Sequence, residues 1–237
     1  MRLHGIDGCK TGWVVVSSDR ALNNINVRIV APAAIGALFR ECDELGDQIA
    51  IDIPIGLAEH EPRSCDIAAR RRLGRPRASS VFPAPCRATL LATSYAEACE
   101  LNEAASARRV SRQTYGILPK ISEIDAALTP EIQRTVRESH PEVTFARLSG
   151  GGPGLMSNKK SAAGRTVRLE LLRRYLPEFD AMQERNSLRK SNVALDDVIN
   201  AAACLLAAER IARGTACTLP DGEPEYDRRG LRMEIAY

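Results

Sequence analysis

The chain has 237 residues, 44% of them apolar, enough for one sizeable buried core. Its formal charge is only +3, but residues 61–120 hold 11 Lys/Arg against 5 Asp/Glu while the rest holds 22 against 25, so an anionic partner is expected at that segment and not over the whole surface. Seven scattered cysteines, never spaced C-x-x-C, argue against a disulfide framework or zinc site, and no apolar run (the longest is AAACLLAA) approaches a bilayer span, so a cytoplasmic protein with no membrane partner is expected.

In chain order, residues 2–7 and 12–18 read as two strands joined by a short Gly-containing turn, and INVRIVA at 25–31 alternates like a third, an antiparallel meander. PAAIGALFRECDEL at 32–45 has helical spacing with Pro at its start, and QIAIDIP at 48–54 reads as a buried strand closed by proline. A helix between the meander and this strand predicts α/β packing, the fourth strand parallel to the first. From about 57 to 128 the pattern turns to Arg-rich helical pieces broken by GRPRASSVFPAPCR, expected to form a helical basic insertion at the rim of a single domain spanning 1–237. A short fifth strand is expected in RTVRES at 134–139, and SGGGPG at 149–154 reads as a mobile loop. Two helices follow, AGRTVRLELLRRYL and the largely apolar LDDVINAAACLLAAERIARG, before a tail, GLRMEIAY, that reads as a last strand.

The acidic residues fall at informative places. Asp7 closes the first strand among Gly5, Gly8 and Gly12, and Asp52 lies at the end of the fourth. Adjacent parallel strands lie about 4.8 Å apart, so the two carboxylates are expected to face each other, which calls for a divalent cation; oxygen-only ligation favours Mg²⁺ or Mn²⁺. The glycines would then let a metal or phosphate approach the backbone. Glu138, ending the fifth strand, and Asp197, near the start of the last helix and on one face with Asn200, complete the set. Carboxylates gathered at one sheet edge suit two-metal phosphodiester hydrolysis. Singly, each acid also fits a turn or a helix cap.

Taken in order, GIDGCKTGWV, IDIPIGL, RSCDIAARRRLGRPRASSVFPAPCR, GILPKISEID, ESHPEVTFA, NKKSAAGRTVRLELL, LDDVINAAACLLAAERIARG and DRRGLRMEI resemble a domain-of-unknown-function family described as predicted nucleases with a ribonuclease H-like fold. The resemblance covers nearly the whole chain. It implies an α/β ribonuclease H-like mixed sheet, antiparallel in the meander and parallel beyond, flanked by helices, and its metal-binding acids fall on Asp7, Asp52, Glu138 and Asp197. Where similar sequences show D-D-x-x-D on the last helix, this chain has Asn200, an amide that ligates without charge.

Arg63 and Arg70, spaced with Asp66 to share a helical face, and Arg75 and Arg77 in the following loop are the candidate contacts to a nucleic-acid backbone. Lys120, and the Lys159–Lys160 pair after the glycine-rich loop, are placed to meet a scissile phosphate, and His140 to shuttle protons beside Glu138. The expected activity is Mg²⁺- or Mn²⁺-dependent cleavage of DNA or RNA. Two alternatives stay open: an actin-like or sugar-kinase-like ATP-dependent phosphotransferase, since GIDGCKTG also resembles the first phosphate loop of that superfamily, and a non-catalytic nucleic-acid-binding protein. Many related folds act as dimers, so a homodimer is among the expected assemblies.

Overall fold

A computed structural model describes residues 1–188 and 192–237. Its centre is a five-stranded mixed sheet. β1 (Arg2–Cys9), β2 (Gly12–Asp19) and β3 (Asn26–Val30) form the antiparallel meander. After a 3₁₀ turn at Pro32–Ala34, α1 (Ile35–Leu45) stops at Gly46, whose left-handed φ of 67° lets its N–H return to the carbonyls of Asp43 and Cys42. The chain then re-enters as β4 (Gln48–Ile51), parallel to β1, and later as β5 (Val136–Glu138), parallel to β4. The order is β3-β2-β1-β4-β5, an α/β fold with helices on both faces.

Between β4 and β5 lie α2 (Ser64–Arg77), which leaves helical geometry at Gly74 and Arg75, then α3 (Tyr95–Ser106) and α4 (Arg112–Ala127). After β5 come α5 (Pro141–Leu148), α6 (Ala162–Tyr175), α7 (Ala181–Ser187) and α8 (Leu195–Ala212). The tail does not extend the main sheet as a last strand. β6 (Thr218–Leu219) pairs with β9 (Ile235–Ala236), and β7 (Glu225–Tyr226) with β8 (Arg232–Met233), as two small ribbons. Nor does all of 57–128 sit at the rim, because Ile121 and Ile124 of α4 belong to the core beneath the sheet. No helix among the described residues is long and apolar enough to cross a membrane.

Side chains alternate across a strand, and here the alternation sorts the whole interior. Leu3, Cys9, Val14, Val16 and Ala50 share one core with α8, whereas Ile6, Trp13, Val15, Ile49 and Ile51 share the other with Phe39 of α1 and with α4. Helix α8 lies so close to β1 that a Cβ on Gly5 would stand 2.0 Å from both the Ala201 carbonyl oxygen and the Leu205 nitrogen. Five buried alanines on α8, at 201, 202, 203, 207 and 208, keep that helix thin enough to approach.

This overturns the expected role of Gly5 and Gly12. A Cβ on Gly8 would meet the Lys120 side chain at 2.8 Å, and one on Gly12 the Val30 carbonyl oxygen at 2.2 Å. At Gly5 and Gly12 backbone fills the space, so those glycines let helix and neighbouring strand close on β1, whereas Gly8 admits the Lys120 side chain and still lines the cavity described below.

Candidate functional site

The same alternation places the acids. Asp7 shares its face of β1 with Leu3, Gly5 and Cys9, the face turned to α8. The β1–β4 ladder continues one residue past β4, where the Asp52 N–H donates to the Ile6 carbonyl at 2.9 Å, so Asp52 follows Ala50 on that face. Helix α8 supplies Asp197 in its first turn and Asn200 one turn on. Asp7, Asp52, Asp197 and Asn200 thus line one cavity of about 370 Å³, with Lys10, Lys120, Lys159 and His140.

Each carboxylate has a different set of partners. Asp7 is buried; its Oδ1 accepts the Gly8 N–H at 2.7 Å and its Oδ2 the Asn200 amide N–H at 3.0 Å. Asn200 therefore holds Asp7 in place without adding a fourth negative charge. Asp197 spends Oδ2 on the Ala194 N–H at 2.8 Å, so it does cap α8 while its other oxygen stays available. The Asp52 carboxylate is engaged by charge alone among the described residues.

Burial pushes the Asp7 carboxyl well above the usual carboxylate range, reinforced by the charges of Asp52 and Asp197. Burial likewise raises Asp52, against the pull of His140 and Lys159, and raises Asp197, helped by Asp196 and opposed by Lys120 and Lys159. The same field acts on α8, where burial and the two acids Asp52 and Asp7 raise the Cys204 thiol. Three acids at one mouth resist simultaneous ionisation unless a cation joins them. Their oxygens do not form a tight trio. Among the described residues the one trio of His, Cys, Asp or Glu whose ligand atoms all fall within 4.8 Å is His4, Cys42 and Asp47, on the other face of the sheet. There His4 is already bonded, Nδ1 with Ser17 Oγ at 2.8 Å and Nε2 with Asp47 Oδ2 at 3.3 Å.

Glu138 lines the same cavity as the acids, but its carboxylate is already engaged. The β4–β5 register pairs Glu138 with Ile51, not with Asp52, so its side chain belongs to the opposite face. There it meets Arg63: Nη1 donates to Oε2 at 2.7 Å and Nη2 to Oε1 at 2.9 Å, while the Ile55 N–H donates to Oε2 at 2.7 Å. Arg63 also lines the cavity but is only 2% exposed and donates to Asp66 Oδ1 at 2.5 Å, so its guanidinium is committed to two acids. A residue read as a ligand and one read as a phosphate contact are instead partners in a buried ion pair. Arg63 and Asp66 were legible as three apart; the reach to Glu138, 75 residues on, had no local signal.

The remaining expected contacts divide. Lys120 and Lys159 line the cavity, and Lys120 Nζ donates to the Gly12 carbonyl at 2.7 Å while lying 4.5 Å from the Trp13 ring centroid. Lys160 is exposed and outside the lining. Arg70 donates to the Val81 carbonyl at 2.6 Å, Arg77 is half-buried with its stem against Gly154, and Arg75 is exposed. His140 is paired by Nε2 with the Ser80 carbonyl at 3.3 Å, and its buried Nδ1 has no protein partner. Sequence reasoning passed over Ser80 and Val81, which line the cavity from the proline-broken segment with no periodicity to read, and counted Phe82 only among the few aromatics that lend weak support to single-strand stacking.

The model of a family described as protein of unknown function, DUF429, matches residues 5–225. No curated protein and no solved structure matches the chain.

Proposed function

We propose that this chain, which belongs to the DUF429 family, is a metal-dependent phosphodiesterase acting on nucleic acid. The observation that carries the reading is the convergence of Asp7, Asp52 and Asp197 on one lysine-lined cavity, all three with raised carboxyl pKa values. The strand order and directions also agree with a ribonuclease H-like sheet, the fold that the sequence resemblance implies.

The donor set fits a hard divalent cation. It consists of carboxylate oxygens, with an amide held against Asp7, and Asp52 brings a carboxylate to which no donor among the described residues is bonded. An ion held by fewer than all three acids at once would keep part of its shell for water or phosphate oxygen, as Mg²⁺ and Mn²⁺ do. When bound, such an ion would supply an activated water and charge neutralisation at the phosphate.

The chain's own residues have separable tasks in this reading. Asp7, fixed by Gly8 and Asn200, and Asp52, fixed by the β-ladder beneath it, hold the ion. Asp197, half committed to capping α8, adds its free oxygen. Lys159 brings positive charge to the two buried acids and is placed to meet a phosphate oxygen. His140, held through Nε2 by the Ser80 carbonyl, lines the cavity beside the acids as the candidate group to move a proton.

Calorimetric titration of Mn²⁺ into wild type, Asp7→Asn and Asp52→Asn tests this. Binding to wild type and its loss in both variants is expected, with Mn²⁺-dependent cleavage of a mixed oligonucleotide pool by wild type alone. No Mn²⁺ binding by wild type, or equal binding by all three, overturns the reading.

A further inference from the structure

The wall of the cavity formed by Ser80, Val81 and Phe82 continues directly from a 3₁₀ turn at Ala78–Ser80. Residues 80–84 are tied down at four points: Asp66 Oδ2 accepts the Ala84 N–H at 2.8 Å, Arg70 donates to the Val81 carbonyl at 2.6 Å, Thr114 Oγ1 donates to the Pro83 carbonyl at 3.4 Å, and His140 meets the Ser80 carbonyl at 3.3 Å. Asp66 is itself fixed by Arg63, which is fixed by Glu138. The buried Glu138–Arg63–Asp66 relay thus ends on the backbone of this wall.

What the wall presents is Phe82. Its ring is 43% exposed at the cavity and makes no ring–ring or cation–π contact among the described residues. A large apolar side chain left in water on an anchored backbone has lost little freedom still to lose on binding, which is how a stacking platform gains affinity. Val81 and Ile117 add apolar surface to the same cavity, which the acids and Lys159 also line.

Resting on the phosphodiesterase reading, we infer that the substrate is single-stranded nucleic acid, one base stacking on Phe82 while the adjoining phosphate lies at Asp7, Asp52 and Lys159. The cavity, about 370 Å³, is of small-ligand size and suits one unpaired nucleotide. In a duplex each base face is already covered by its neighbours, so Phe82 has nothing to stack on unless a base leaves the helix, at the cost of unstacking and unpairing.

The test uses a phosphorothioate-linked mixed-sequence 8-mer, single-stranded or annealed to its complement, with Mn²⁺ present at low salt. Fluorescence anisotropy is read on wild type, Phe82→Ala and Phe82→Tyr, and Mn²⁺ binding to each protein is measured separately. Tighter binding of the single strand by wild type is expected, weakened about 5- to 150-fold in Phe82→Ala and restored in Phe82→Tyr. Mn²⁺ binding should be alike in all three. If Mn²⁺ binds but the duplex binds as well as the single strand, or Phe82→Ala binds the single strand like wild type, the stacking inference falls alone. If wild type binds no Mn²⁺, the reading it rests on falls with it.

Discussion

Replacing Glu138 by Gln separates a structural acid from a metal ligand. Glutamine keeps the shape of the side chain but removes the charge opposite Arg63, whose guanidinium is 2% exposed beside a carboxylate 6% exposed. Breaking a buried ion pair from one side costs about 3–5 kcal/mol, because the remaining charge stays out of water. Asp66 still pairs with Arg63, at 2.5 Å, which places the cost at the low end, about 3 kcal/mol. For a domain of this size each kcal/mol moves the melting temperature by about 2–4 °C, so a fall of about 6–12 °C is expected. The assay is thermal unfolding followed by circular dichroism at pH 7.5 without metal, paired with Mn²⁺ calorimetry well below the variant's melting temperature. Mn²⁺ affinity should stay within about twofold of wild type, since the oxygens of Glu138 serve Arg63 and Ile55. A variant that melts within about 2 °C of wild type yet binds Mn²⁺ far more weakly would refute the assignment and return Glu138 to the metal site.

Asp7→Asn should behave in the opposite way. The folded-state pKa of Asp7 is raised above its unfolded value, so between the two the folded protein keeps a proton that the unfolded chain has released, and stability falls as pH rises through that window. Without metal, Asp7→Asn is therefore expected to melt higher than wild type at pH 8, the gap closing as pH drops toward 4; with Mn²⁺ at about 100 times its dissociation constant, wild type alone gains about 2.7 kcal/mol and the order reverses. A metal-free Asp7→Asn that melts lower than wild type at pH 8 would contradict this. By the same sign, Mn²⁺ binding releases protons, and its affinity in wild type should rise with pH; a pH-independent affinity would count against Asp7 as a ligand. Gly5→Ala drives a methyl to 2.0 Å from the backbone of α8, so a loss of about 3 kcal/mol in urea unfolding is expected, and a change below about 1 kcal/mol would mean that α8 shifts freely on β1. Of the seven cysteines only Cys217 is exposed, so a thiol reagent should modify one group quickly in the native protein and seven after denaturation; two or more fast groups would argue that the packing around α8 or α2 is looser than described.

Much of this protein was written in local pattern. The meander, α1, β4, the short β5 and the two long helices α6 and α8 follow from alternation, helical spacing and the punctuation of Gly and Pro, since those signals act within a dozen residues. Asp7 and Asp52 could be placed for the same reason: each stands at a fixed offset from a strand whose pairing the α/β order dictates. Helix α5 was harder, because His140–Pro141 suits a turn as well as a helix start, and Pro at the first helical position settled it only once the helix had a core to pack on.

Tertiary structure alone decided which acids act together. Glu138 ends its strand just as Asp52 follows its own, but register pairs it with Ile51, and with a side-chain period of two that single step sends it through the sheet to Arg63. Nothing within either segment encodes that offset. The glycines around Asp7 tell the same story, since their missing Cβ atoms accommodate α8, Lys120 and β3, partners as far as 200 residues away whose approach no local signal records. Sequence fixes what each residue can do; the packing of distant elements fixes what each one is free to do.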